Sequence, residues 1–326
     1  MATNKTRYYL SKMESYGYSP ADVLAGTGID EQSTQDMSLQ LSPVQYQRLI
    51  GNILALTGDD QIGLKLGASY SVGDLGVLGY AVLSSKTVKL AGDVMNRYNE
   101  LNEKVLTLDG YSQGGKWCVE LQEIFPLGTF KQFAVEESVA RIQAILSQLV
   151  DGPAGLTELH FSYAKPQSMQ RYDQLFSCPC VFDSPKDLIY MDPSVLEKPV
   201  SLANETVNKL CEEQCSKLVR ELNSSHGLAE RIMRFLYRNP GLFPNTDEMA
   251  SRMNMSTRSL RSKLQQEGTT YQCVLDETRK NIAIEWLENT DITPKEIGFM
   301  LGYSDVGNFR RAFRSWTNKK VSDYRQ

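Results

Sequence analysis

The sequence predicts a mainly α protein with a small mixed α/β portion in its N-terminal half and an all-α C-terminal domain of tandem helix-turn-helix units. Apolar residues recur at spacings of three and four through most of the chain, as in helices with one buried face. Two-residue alternation is confined to short stretches between Val105 and Met191. Basic charge is concentrated near the C-terminal end: from Gly227 onward 16 Lys and Arg stand against 12 Asp and Glu, a balance of +4, while the remaining residues carry 19 against 27, a balance of −8. The predicted divisions are 1–222 (helical over 1–103, α/β over 104–222), a linker at 223–227, and 228–326 with helix-turn-helix units at 246–267 and 293–316.

The chain has 326 residues, enough for two domains that each bury a core. Apolar residues make up 41% and charged residues 23%, ordinary for a globular protein. No run approaches the ~18 apolar residues of a membrane span. Met1 to Tyr9 lacks the apolar core of a signal peptide, so the expected location is the cytoplasm. The net charge of −4 argues against nucleic acid until its distribution is read; a basic module beside an acidic body fits a DNA-binding domain joined to a separate one. Six cysteines show no disulfide framework. Cys178-Pro-Cys180 and Cys211-x-x-x-Cys215 are the clusters that invite a metal or redox reading, and their apolar neighbours favour buried thiols.

Leu10, Met13 and Tyr16 mark the first helix, and Ser19-Pro20 opens a second that ends near Gly26 or Gly28. Ser42-Pro43 starts a third, with Tyr46, Leu49, Ile50, Ile53 and Leu54 on its apolar side. Asp74 to Val88 carries a small-residue face for close helix packing, and Thr87 caps a helix through Tyr98. Val105–Leu108 and Trp117–Leu121 read as a hairpin, followed by a helix from Gln132 to Val150. Leu156–Tyr163 is a strand, with short strands near Cys180 and at Leu188–Met191, then a long helix from Ser201 to Leu222. Asn223 to Gly227 is the predicted linker.

From Leu228 the pattern is helical throughout. Leu228, Ile232, Phe235 and Leu236 share one helix face, stopped by Asn239-Pro240-Gly241. Thr246 is expected to cap Asp247–Met253, and Ser256 to cap Thr257–Gln266, with Gly268 just past its end. Tyr271–Leu287 joins this pair to a second one, with Val274, Ile282, Ala283 and Trp286 inward. There Thr293, Pro294 and Glu296 spell a capping box. Ile297, Met300 and Leu301 form an apolar face, Gly302 turns the chain, and Phe309, Phe313 and Trp316 line the inner stripe of the next helix. The units repeat: Glu248, Ala250, Met253, Met255 and Ser256 answer Glu296, Gly298, Leu301, Tyr303 and Ser304. Leu260 and Leu264 answer Phe309 and Phe313, with one residue added in the turn.

The spacing Glu-Ile-x-x-x-Leu-Gly-Tyr-x-Asp-x-x-x-Phe-x-Arg-Ala-Phe-x-x-Trp, from Glu296 to Trp316, closely resembles the signature of the AraC/XylS family of bacterial transcription regulators. More loosely, the order Leu-Gly-Tyr-Ala-Val-Leu-Ser-Ser, His-Phe-Ser-Tyr, Leu-Phe-Ser-Cys-Pro-Cys is similar to that family's arabinose-binding-type effector domain over most of residues 20 to 220. The resemblance implies double-stranded DNA and RNA polymerase as partners, activation, and an N-terminal domain that senses a small molecule and dimerises. It does not imply arabinose. Two departures stand out: Cys180 falls where relatives more often have an aliphatic residue, and Asn318-Lys319-Lys320-Val321 replaces the usual Gly-x-Ser-Pro, leaving the docking of the last segment open.

With Leu260 and Leu264 inward, Arg258, Arg261, Ser262 and Gln265 point outward; with Phe309 and Phe313 inward, so do Gly307, Asn308 and Arg311. These positions match those at which the family reads bases, and arginine suits guanine as asparagine suits adenine. Lys263, Arg310, Arg314, Lys319 and Lys320 are expected on phosphates. Tyr80, Trp117, Arg141, His160 and Tyr190 are the effector-site candidates, each a polar-tipped residue of a core element and more readily a structural one. No cofactor, metal site or catalytic set is expected. His160 and His226 lack a nucleophile and carboxylate at recognisable spacing, and Cys178-Pro-Cys180-Val lacks the Pro-Cys-His-Arg acceptor of DNA alkyl-repair enzymes. The other alternative is an architectural DNA binder whose N-terminal domain only dimerises.

Overall fold

Leu10 and Met13 are buried, as their spacing predicts, on α1 (Lys5–Ser15). Both Ser-Pro steps start helices. The Ser19 hydroxyl accepts from the Asp22 backbone N–H at the head of α2 (Pro20–Leu24), and Ser42 forms a capping box with Gln45 for α3 (Pro43–Thr57). This computed structural model describes residues 5–35, 39, 41–102, 105–224, 227–238, 241–289 and 292–325. The chain divides into two units, Met1–Arg220 and Glu221–Gln326.

In the first unit, α4 (Ile62–Ala68), α5 (Val77–Leu83) and α6 (Val88–Arg97, capped by Thr87) precede the sheet. The hairpin runs longer than predicted: β1 (Leu106–Gln113) and β2 (Lys116–Glu123) pair throughout, across Gly114 and Gly115, both at positive φ. After α7 (Lys131–Val150) come β3 (Leu156–His160), α8 (Gln170–Leu175), β4 (Cys180–Val181), β5 (Asp187–Met191), α9 (Ser194–Glu197) and α10 (Glu205–Ser224). The sheet order is β1-β2-β5-β3-β4, antiparallel except for β3 with β4.

Three predicted bounds move. β3 stops at His160 rather than Tyr163; beyond it, Phe161 and Tyr163 make backbone bonds to Val181 at the end of β4 and to Asp183 and Ser184 just after it. The helix predicted from Ser201 begins at Glu205, where the Asn204 side chain accepts from the Val207 N–H. It continues through Asn223 and Ser224 of the predicted linker, while Ser225 and His226 lie outside the described residues. The 103/104 division also falls outside them.

The core is organised on α7, which α4 approaches at glycine distance: a Cβ at Gly63 would meet the Phe133 carbonyl oxygen at 2.8 Å, and one at Gly67 the Glu137 carbonyl oxygen at 2.3 Å. Beside this contact are two fully buried carboxylates. Glu137 receives Lys5 Nζ at 2.8 Å and faces Arg141 Nε at 3.7 Å. Burial alone would raise its pKa, but the two cations outweigh burial and hold it below the usual carboxylate range. Glu136 Oε1 accepts from Tyr172 OH at 2.5 Å and from Gln132 at 2.8 Å. Burial pushes its pKa up to about 7.

The second unit is all helical: α11 (Leu228–Arg238), α12 (Thr246–Arg252), α13 (Thr257–Gln266), α14 (Tyr271–Asn289), α15 (Pro294–Met300), α16 (Val306–Thr317) and a closing 3₁₀ turn, Val321–Tyr324. Of the predicted stop after α11, Asn239 and Pro240 lie outside the described residues, and Gly241 has φ +88°. Leu228, Ile232, Leu236, Met249, Ala250, Leu260, Leu264, Val274 and Leu275 share one core. Further along α14, Ile282, Ala283 and Trp286 are buried where it meets α15 and α16, whose Ile297, Phe309 and Phe313 are buried too.

Candidate nucleic-acid interface

Each helix pair is built by the same local chemistry. The first helix of each opens with a capping box, Asn245 with Glu248 in α12 and Thr293 with Glu296 in α15. The first cap falls at Asn245, one residue before the predicted Thr246. Asn245 takes that role because its Oδ1 accepts from both the Asp247 and Glu248 N–H groups at 3.0 Å. The two turns share their opening geometry: Asn254 and Gly302 are left-handed (φ +54° and +83°). The next N–H donates five residues back in each, Met255 to Ala250 at 3.0 Å and Tyr303 to Gly298 at 2.9 Å. The extra residue of the second turn is Ser304, so Ser256, which caps α13, is answered by Asp305, which caps α16. The sequence reading pairs Ser256 with Ser304 and misses Asp305, for which an aspartate two to three positions before Gly307 and Asn308 is the signal; its Oδ1 accepts from both N–H groups, at 2.6 and 3.1 Å.

The second helix of each pair is apolar inside and polar outside. Leu260 and Leu264 of α13 and Phe309 and Phe313 of α16 are fully buried. Trp316 is only half-buried, its ring 6.3 Å from that of Tyr303. Gly298 lets Phe309 in, since a Cβ there would sit 3.0 Å from that of Phe309; Ala250 holds the matching position in the first pair. The predicted base-reading residues Arg258, Arg261, Ser262, Gln265 and Arg311 are exposed, with Gly307 and Asn308 half-buried. Arg311 Nη2 donates to Asn308 Oδ1 at 2.6 Å. Lys263, Arg310, Arg314, Lys319 and Lys320 are all exposed as well.

The terminal segment docks without the proline. Asn318 takes the left-handed position a glycine would fill (φ +56°), Val321 is buried, and the Tyr324 ring stands edge-on to Phe313 at 5.3 Å. Arg325 donates to the Ile292 carbonyl.

The five effector-site candidates do not converge. Tyr80 on α5 is 58% exposed, and Arg141 is buried beside Glu137 with its guanidinium 5.4 Å from the Tyr70 ring centre. His160 and Tyr190 do meet, rings 5.1 Å apart, with Glu158 Oε1 2.9 Å from His160 Nε2 and Lys116 Nζ 5.2 Å from the Tyr190 ring. Strand pairing puts Cys118 opposite Tyr190 and Trp117 opposite Met191, so Trp117 lies on the other face of the sheet. The cysteines are free thiols; burial pushes Cys180 up to about 12 and Cys215 to about 11, which keeps both protonated. Among the described residues no three His, Cys, Asp or Glu side chains gather as a metal site, and no helix is long and apolar enough to cross a membrane.

Comparison with known proteins agrees with this architecture. Residues 17–200 match the N-terminal arabinose-binding domain of AraC transcription regulators, and residues 249–326 a helix-turn-helix domain. The chain is 34% identical to the ornithine utilization regulator of Pseudomonas aeruginosa, over 96% of this chain and 95% of that one. It is 26% identical to the HTH-type transcriptional regulator VqsM of the same species, over 81% and 83%. The crystal structure of the transcriptional regulator CdpR, also from Pseudomonas aeruginosa, aligns with a TM-score of 0.42 at 24% identity, covering 87% of this chain and 96% of that one. The two sequence relatives are regulators, and with an arabinose-binding-type N-terminal domain followed by a helix-turn-helix DNA-binding domain, the chain belongs to the AraC family of transcription regulators.

Proposed function

We propose that this regulator reads two successive major grooves on one side of a duplex, with α13 in one and α16 in the next, and activates transcription through RNA polymerase as a homodimer. The observation that carries the reading is the duplicated design. In both helix pairs the second helix buries its leucines or phenylalanines and leaves arginines exposed on the opposite side. Successive grooves lie about 34 Å apart, so one protomer would span about two turns of DNA. Arg258, Arg261, Ser262, Gln265, Gly307, Asn308 and Arg311 would meet bases, and Lys263, Arg310, Arg314, Lys319 and Lys320 phosphates. Genome-wide footprinting of the full chain tests this: protection in paired blocks one helical turn apart is expected, and protection of a single block would overturn it.

The N-terminal domain, residues 1–222, is proposed to bind a small molecule and to dimerise. The first compound to test is ornithine, named in the 34%-identical relative. A sensing domain raises its melting temperature with ligand and changes DNA affinity by the same coupling. If a metabolite panel moves neither, and sedimentation shows a dimer, the domain is a dimerisation module and the protein an architectural binder.

A further inference from the structure

Arg279 lies midway along α14, between Leu275 of the first core and Ile282 of the second. Its guanidinium carbon is 4.6 Å from the ring centre of Phe243 and 5.1 Å from that of Tyr303. Phe243 belongs to the strap 241–244 that runs into Asn245, the cap of the first helix pair, while Tyr303 sits in the turn of the second. The strap and that turn are also in direct contact. A Cβ at Gly302 would lie 3.3 Å from Arg279 Nη2 and 3.4 Å from the Phe243 ring, and one at Gly241 3.7 Å from the Met300 carbonyl oxygen. The strap is pinned from the other side by Tyr271 OH, which donates to the Pro244 carbonyl at 2.5 Å.

One cation therefore bridges three elements: the lead-in to the first pair, the connecting helix, and the turn of the second pair. Its Nε is buried with no hydrogen-bond partner among the described residues, so contact with the two aromatic side chains, including a side-chain hydrogen bond with Tyr303, is a major part of what holds it. A planar guanidinium can lie against two aromatic faces at once; a lysine ammonium on a flexible stem makes a poorer bridge. Cores on either side of Arg279 can each form without it, but the angle between them depends on what fills this junction.

We propose that Arg279 is the positioning residue that fixes α13 relative to α16, and thereby sets the spacing between the two DNA elements the protein accepts. The inference rests on the two-groove reading and is tested with the full chain. The probe is the duplex recovered by repeated selection from a random-sequence library with the unaltered protein. Companion duplexes carry one, two or three base pairs inserted between the elements, or one element scrambled. For the unaltered protein a two-base-pair insertion should weaken binding by about tenfold or more. Arg279→Met should bind the parent duplex less tightly, bind the single-element duplex within about twofold of the unaltered protein, and lower the insertion penalty to about threefold or less. Phe243→Leu, which keeps the charge and removes one ring, should relax spacing in the same direction, and Arg279→Lys should fall between. Unchanged spacing discrimination in folded Arg279 variants overturns the proposal, as does equal loss on both the two-element and single-element duplexes. If selection with the unaltered protein returns a single element, the two-groove reading itself fails first.

Discussion

Arg311 and Asn308 project from one side of α16, hydrogen-bonded to each other at 2.6 Å. That bond holds the guanidinium before any DNA arrives, which lowers the ordering cost of a bidentate contact. Arg311→Ala is expected to cost about 1–3 kcal/mol on the preferred site and much less on random DNA, measured by titration of both; equal losses would reassign the residue to the phosphate backbone. A second single-residue test concerns the core. Glu136, with its pKa raised to about 7 in the folded chain, holds its proton after the unfolded chain has lost it at the ordinary value of 4.5. The folded state then binds more protons, so its stability falls as pH rises from about 4.5 to about 7 and is flat above, by about 3 kcal/mol in all. Glu136→Gln should remove this slope in urea melts across the window; a variant that keeps it would show that another group titrates. Glu137 has the opposite sign: its lowered pKa supplies stability at neutral pH that is lost in acid, and Glu137→Ala should cost about 3–5 kcal/mol by removing the buried carboxylate that faces Lys5 and Arg141.

At the scale of elements, caps and turns were readable because they are local. Ser19, Ser42, Thr87, Ser256 and Thr293 cap where the sequence expected, since an N-cap needs only an oxygen within reach of N–H groups two or three residues on. The contact between α4 and α7 was not readable, because nothing in Gly63-x-x-x-Gly67 says which helix fills the gap. It yields a paired prediction. Gly67→Ala adds a carbon 2.3 Å from the Glu137 carbonyl oxygen and 2.8 Å from the Ala140 Cβ, so it should destabilise by about 1–3 kcal/mol despite alanine's better helix propensity. Gly92→Ala, on the exposed side of α6 with nothing within 4 Å, should stabilise by about 0.5–1 kcal/mol. Opposite signs in chemical unfolding are the expected outcome, and like signs would refute the close approach.

For the molecule as a whole, charge segregation decides how it meets DNA. A chain of net charge −4 would repel a duplex if its charges were evenly mixed; +4 from Gly227 onward and −8 elsewhere favour one end only. Binding should therefore weaken steeply with salt, and Lys319→Ala should reduce the slope of log K against log salt by about 0.9 if that exposed lysine meets a phosphate. An unchanged slope would remove it from the contact set. The helix pairs, their repeat and the outward arginines are legible from sequence because caps, periodicity and charge are properties of neighbouring residues. Sequence alone could not bring Arg279 to Phe243 and Tyr303, α4 onto α7, or Trp117 to the sheet face opposite Tyr190. Those relations join residues distant along the chain, and only the packing of side chains against one another in three dimensions decides them.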